Sequence, residues 1–151
     1  MRRYSVSFTE VSVTAQQDLF QLEANTVPLI LLGVFLSQSG DVGDAEAEGL
    51  SIQIARVTDA VTNDVAEVLL DGGDGAANAD LAINETTELT TGKTVLHSEV
   101  WHVQNGSFIY LPTPEIQIVG EVNNALVVNL NTTPADALVM SGTCYFAEMG
   151  S

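Results

Sequence analysis

Basic side chains are the scarcest feature of this chain. Four lysines and arginines stand against twenty aspartates and glutamates, giving a net charge of -16. Arg2 and Arg3 take two of the four, and from Tyr4 onward the only cations are Arg56 and Lys93. Binding DNA or RNA by neutralising phosphates needs a basic surface, so nucleic acid is not expected as a partner. Anionic membranes are disfavoured for the same reason. Basic partners or a salt-rich medium would relieve the self-repulsion of such a chain. Cysteine is nearly absent too. Cys144 stands alone, so no internal disulfide can form, and its setting in "SGTCYFAEM" suits a small buried hydrophobe. Long apolar runs are missing. The longest, "VPLILLGVFL" at 27–36, has ten residues, against the about 20 that a membrane-spanning helix needs. It reads as a strand buried on both faces. The start "MRRYSVSFTE" has no apolar stretch behind its arginines, so no secretory signal is expected there.

What the chain does have is a period of two. In "YSVSFTEV" Tyr4, Val6 and Phe8 alternate with Ser5, Ser7 and Thr9, the pattern of a half-buried strand. The pattern returns in "SIQIARV" with Ile52 and Ile54, in "EIQIVGEV" with Ile116 and Ile118, and in "ALVVNLN" with Leu126, Val128 and Leu130. "LVMSGTCYFAEM" sets Met140, Cys144 and Phe146 against Ser141, Thr143 and Tyr145. "TAQQDLFQLEAN" at 14–25 is read as a strand, with a short helix as the alternative. "TDAVTNDVAEVLLDGG" is the other helix candidate, since Val61, Val65 and Leu69 recur every four residues, but its β-branched valines weaken that reading. Many short strands without regular helices predict a single all-β domain spanning 1–151, an antiparallel β-sandwich with the jelly roll as its expected form. Two acidic, glycine-bearing stretches, 37–49 and 71–80, read as exposed flexible loops, and thirteen of the twenty acids fall between Asp41 and Glu99.

Motifs for chemistry are sparse. Asp41, Asp44, Glu46 and Glu48 could supply oxygen ligands to calcium, yet their spacing does not fit an EF-hand, and a solvated acidic turn explains them better. His97 and His102 lie five residues apart in "TVLHSEVWHV", which places them on opposite faces of a strand, with Glu99 and Trp101 on the side of His97. One histidine and one carboxylate do not complete a transition-metal site. Cys144 with a histidine could in principle form a nucleophile pair. No nucleophile elbow, phosphate loop or paired-histidine zinc motif accompanies them, so neither enzyme activity nor a cofactor is expected. The sequons at Asn84, Asn105 and Asn131 are attributed to chance in a chain rich in Asn and Thr.

Three segments, "LSQSGDVGDAEAE" (36–48), "YLPTPEIQI" (110–118) and "MSGTCYFAEMG" (140–150), resemble stretches of the capsid decoration, or cement, proteins of tailed bacteriophages. The resemblance fails across "TNDVAEVLLDGGDGAANAD". It implies a compact β-sandwich that assembles as a homotrimer on the outer capsid surface, with the major capsid protein as partner, and it carries over no active-site residue. On that view Arg2 and Arg3 form a short basic arm toward an acidic shell. Trp101, Phe108 and Tyr110 are then candidates for interface aromatics, with a place in the core as the equal alternative. A carbohydrate- or receptor-binding module, such as a tail-fibre tip, is the alternative function, since sandwiches host both roles.

Overall fold

A computed structural model describes residues 1–39, 48–104 and 106–150. Among these the chain is all-β, with two antiparallel sheets packed face to face. The strands are β1 (Arg2–Val13), β2 (Gln17–Glu23), β3 (Leu29–Gln38), β4 (Gly49–Val57), β5 (Val68–Leu69), β6 (Asp80–Glu85), β7 (Thr94–His102), β8 (Phe108–Tyr110), β9 (Ile118–Gly120), β10 (Ala125–Leu130) and β11 (Leu138–Glu148). Sheet A runs β5-β1-β11-β3-β8, with β9 pairing β3 as well, and sheet B runs β6-β2-β10-β4-β7. The β-sandwich expected from the alternation is the fold of the protein. β1, β3 and β11 lie in one sheet and β2, β4 and β10 in the other, so the chain crosses the core at most connections.

The predicted alternation sets which side chains face that core. Tyr4, Val6 and Phe8 of β1 pair with Phe146, Cys144 and Gly142 of β11, and all of the apolar ones are buried. From sheet B, Phe20, Leu22, Leu50, Ile52, Ile54, Leu126, Val128 and Leu130 meet them. Gly142 makes this packing possible. A Cβ there would lie 2.8 Å from Leu36 Cδ2 and 3.0 Å from the Phe8 ring, too close for any side chain without displacement.

Four expectations need correction. The run 27–36 is not buried on both faces: Leu29, Leu31, Val34 and Leu36 of β3 point inward, while Ile30, Leu32 and Phe35 are half-exposed on the outside. Residues 58–73 form no helix. Only Val68–Leu69 are regular, as a two-residue strand beside β1, and Val61 packs under sheet B. The strand expected at 115–122 shrinks to Ile118–Gly120 because Pro114 opens a 3-10 turn at Pro114–Ile116. The prolines of "LPTP" lack the N–H that a paired strand must donate, so the edge breaks between β8 and β9. The loop 71–80 is anchored rather than free: Tyr4 donates to the Gly75 carbonyl at 3.0 Å, and the Asn78 and Ala79 amides donate to Glu148 Oε1.

Candidate functional site

The residues with catalytic potential are not brought together. Cys144 is fully buried, and burial pushes its thiol pKa far above the ordinary range, which leaves it a packing residue. His97 Nε2 lies 2.7 Å from Glu99 Oε2 on a half-open strand, and its ring stacks on Tyr110 with centroids 4.6 Å apart. The β4–β7 register runs without a shift from Ile54–His97 to Gly49–His102, so His102 faces the opposite side. Among the described residues no group of three or more His, Cys, Asp or Glu is placed to hold a metal. Of the acidic loop candidates, Asp41, Asp44 and Glu46 lie outside the described residues, and Glu48 accepts the Ala135 amide. Among the described residues no helix is long and apolar enough to cross a membrane.

The proposed interface residues are redistributed by the fold. Trp101, Phe108 and Tyr110 belong to the core at 5%, 5% and 7% exposure, and the Trp101 indole N–H donates to the Gly106 carbonyl at 3.0 Å. Burial pushes the Tyr110 phenol pKa up. They take the core reading of the two that the sequence allowed. Arg2 and Arg3 form no free arm. Both lie in β1, opposite Glu148 and Ala147. Arg2 reaches over the 71–75 loop, where a Cβ on Gly75 would lie 3.2 Å from its Nη1. Arg3 remains exposed on the outside of sheet A.

That outside is the most unusual surface of the molecule. Antiparallel pairing puts directly opposed residues on one face. The register therefore places Arg3, Ser5 and Ser7 of β1, Ser141, Thr143 and Tyr145 of β11, Ile30, Phe35 and Ser37 of β3, Ile109 of β8, Val119 of β9 and Val68 of β5 together on the outer side. Arg3 is the one ionic residue among them, in a chain with twenty acids. Glu10, whose amide donates to Ser141 Oγ at the bulge of β1, lies at the margin.

The face has two halves. One is lined by hydroxyls, with Ser7, Thr9, Ser37, Ser107, Ser141 and Thr143 around a depression of about 370 Å³. Ser7 and Thr143 share a 2.9 Å hydrogen bond there. The other is an apolar groove of about 380 Å³ between Leu32, Phe35, Leu70, Leu111 and Tyr145, with Arg3 beside it. Phe35 and Tyr145 meet edge to face at 5.7 Å. Gly33 forms the floor, since a Cβ would lie 3.3 Å from Leu111 Cδ1 and 3.2 Å from the Phe35 ring. Leu111 is 69% exposed and Leu70 46%. The sequence does not reveal this groove, because an apolar run such as 27–36 reads as a strand buried on both sides.

Sheet B carries a different outer surface. Ala55, Val57, Ala82, Ala125 and Val127 are covered there by Val61 and Leu89. Asp18, fully buried, ties down the cover: Oδ2 accepts the Leu89 amide and Gln21 Nε2 at 2.8 Å each, and Oδ1 accepts Asn129 Nδ2 at 2.9 Å. Burial raises the Asp18 pKa, those hydrogen bonds oppose the rise, and the nearby Glu88 charge adds to it. Glu85 is raised as well, chiefly by its hydrogen bond with Asp64 and then by burial. No protein-family model, curated protein or solved structure matches the chain.

Proposed function

We propose that this chain is a non-enzymatic structural protein of a tailed bacteriophage, a decoration protein that binds and stabilises the outer capsid shell through the outer face of sheet A. The strand order β1-β11-β3-β8 over β2-β10-β4-β7 supports the jelly roll as the form of the sandwich, with β5 and β6 as insertions. The observation that carries the proposal is the outer face of sheet A, nearly uncharged among the described residues. Carboxylates keep an acidic chain soluble, and a broad face that omits them while exposing Leu70, Ile109 and Leu111 suits a surface covered in the assembled state. Strand spacing and rise make that face roughly 700 Å², near the about 800 Å² per partner of a stable complex. The resemblance in three segments supplies the class of partner, the major capsid protein, and with it the homotrimer and the outer-capsid location. Arg3 is then the contact for a carboxylate of the shell, and the groove takes an apolar anchor.

Co-sedimentation with capsid shells lacking the protein tests the reading. Wild-type protein is expected to pellet with the shells, and Leu70→Asp/Leu111→Asp to stay in solution with an unchanged melting temperature. A folded double variant that pellets as well as wild type would refute the proposed face. Wild-type protein that ignores shells but binds on a glycan array would move the function to the carbohydrate-binding class.

A further inference from the structure

Sandwich edges invite pairing with other strands, and folded proteins usually shield them. Three of the edges here are shielded. β6 is covered by the segment before it, whose Asp64 and Val65 amides reach the Leu81 carbonyl while Asn63 Oδ1 accepts the Leu81 amide. β5 covers β1 only at Tyr4 and Ser5, and the rest of that edge is interrupted by the bulge between Phe8 and Val11, while the opposite edge of sheet A is split into β8 and β9 of three residues each. β7 differs. It is nine residues long, pairs with β4 on one side, and among the described residues has no strand on the other. Only Trp101 of it is buried, and Val95, Leu96 and Val100 are 45%, 38% and 63% exposed.

The sequence of this edge is complementary to itself. In "LHSEV", residues 96–100, an antiparallel copy related by a two-fold axis at Ser98 sets His97 opposite Glu99 and Leu96 opposite Val100. Directly opposed side chains are the pairs that stabilise a sheet. The two-fold axis therefore places opposite polarity together on one face and apolar groups together on the other. His97 already bonds Glu99 within the strand at 2.7 Å, so the pairing builds a closed ring of four alternating groups. A neutral imidazole has one N–H, so each His97 then bonds one carboxylate at a time, its own or the partner's, and the imidazolium bonds both. Glu99, facing inward at an open edge, is the kind of residue that ordinarily blocks pairing. His97 at two residues' distance removes that block for this one register. The pairing ends at Leu96, the extra residue of the register shift between the Ile54–His97 and Ala55–Val95 pairs, where the strand bends.

We infer that β7 is a self-association edge, through which two copies of this chain join their B sheets into one continuous antiparallel sheet across Ser98. The contact is separate from the outer face of sheet A and does not depend on shell binding. In a trimeric assembly it would link trimers in pairs.

Cysteine crosslinking tests both the contact and its register. Cys144 is buried, so it does not compete. Ser98→Cys puts two thiols directly opposite across the axis, within the span a disulfide bridges. Mild oxidation at physiological ionic strength should give a covalent dimer on a denaturing gel. Val100→Cys, more exposed but opposed by Leu96, should remain uncrosslinked. In the Ser98→Cys background, His97→Glu should reduce the dimer to background by facing carboxylate with carboxylate, and His97→Glu combined with Glu99→His should restore it. The proposal is overturned if Ser98→Cys stays monomeric on the gel, if Val100→Cys crosslinks equally well, or if the exchanged pair fails to recover the dimer while remaining folded.

Discussion

The two outer faces of the sandwich solve the same problem in opposite ways. Sheet B covers its outside with its own chain: Val61 and Leu89 close over Ala55, Val57, Ala125 and Val127, and carboxylates hold the cover in place. Glu23 accepts the Val61 amide at 2.7 Å, Asp59 the Thr91 amide at 2.8 Å, and Asp18 the Leu89 amide at 2.8 Å. Among the described residues, sheet A leaves its outside uncovered, with hydroxyls, aromatics, aliphatics and Arg3. Part of the acidity of the chain therefore has a structural use on sheet B, and among the described residues the outer face of sheet A is kept clear of it. A face finished by its own loops serves stability, whereas a face left unfinished and unguarded serves contact.

The sharpest way to break this comparison is to put the same charge on both faces. Val127→Lys buries an ammonium beneath Leu89 and Val61 and is expected to cost more than about 4 kcal/mol, enough to leave little folded protein. Ser7→Lys on the exposed face is expected to stay within about 0.5 kcal/mol of wild type. Urea denaturation followed by circular dichroism measures both. Next in size is Asp18→Ala, which strands the Leu89 amide and removes one acceptor each from Gln21 and Asn129, leaving them the Thr87 carbonyl and Glu88 Oε1. A loss of about 3 kcal/mol is expected, together with faster hydrogen exchange in the 86–92 segment.

A smaller effect separates the faces by pH. Asp18 and Glu85 have folded-state pKa values raised above their unfolded ones, so the folded state holds more protons between the two values. Stability then rises as pH falls from neutral through the folded pKa values, and the gain is complete at the unfolded value of about 4. Asp59 and Glu115, lowered by hydrogen bonds at the exposed surface, act in the opposite sense below that range. Thermal melts from pH 7 down to about 4 should show the rise, and Asp18→Asn should flatten it. A melting temperature that falls steadily over that interval would contradict the assignment. The smallest effect on stability belongs to Leu111→Asp, within about 0.5 kcal/mol of wild type by the same denaturation assay, although it removes an aliphatic wall of the groove.

Much of this architecture was legible in the residues. Tyr4, Val6 and Phe8, and Met140, Cys144 and Phe146, point inward as their period of two requires. The hydroxyls of Ser5, Ser7, Ser141 and Thr143 point outward for the same reason. The apolar groove was harder to read, because an apolar run does not say whether its second face meets protein or solvent. Ile30, Leu32 and Phe35 look the same in sequence whether a loop covers them or nothing does. The cover on sheet B was hidden for a related reason: Val61 and Leu89 lie in irregular segments with no period, and only the fold brings them over Val127. Trp101 and Tyr110 were ambiguous because aromatics suit cores and interfaces equally, and the register against Leu50 and Val34 decides for the core.

Oxidative footprinting of the side chains, free and on capsid shells, addresses the central claim most directly. The account predicts that Leu70, Leu111, Phe35 and Tyr145 lose labelling on the shell while Leu89 and the 58–66 segment do not change. Protection of the sheet B cover with sheet A still labelled would contradict it.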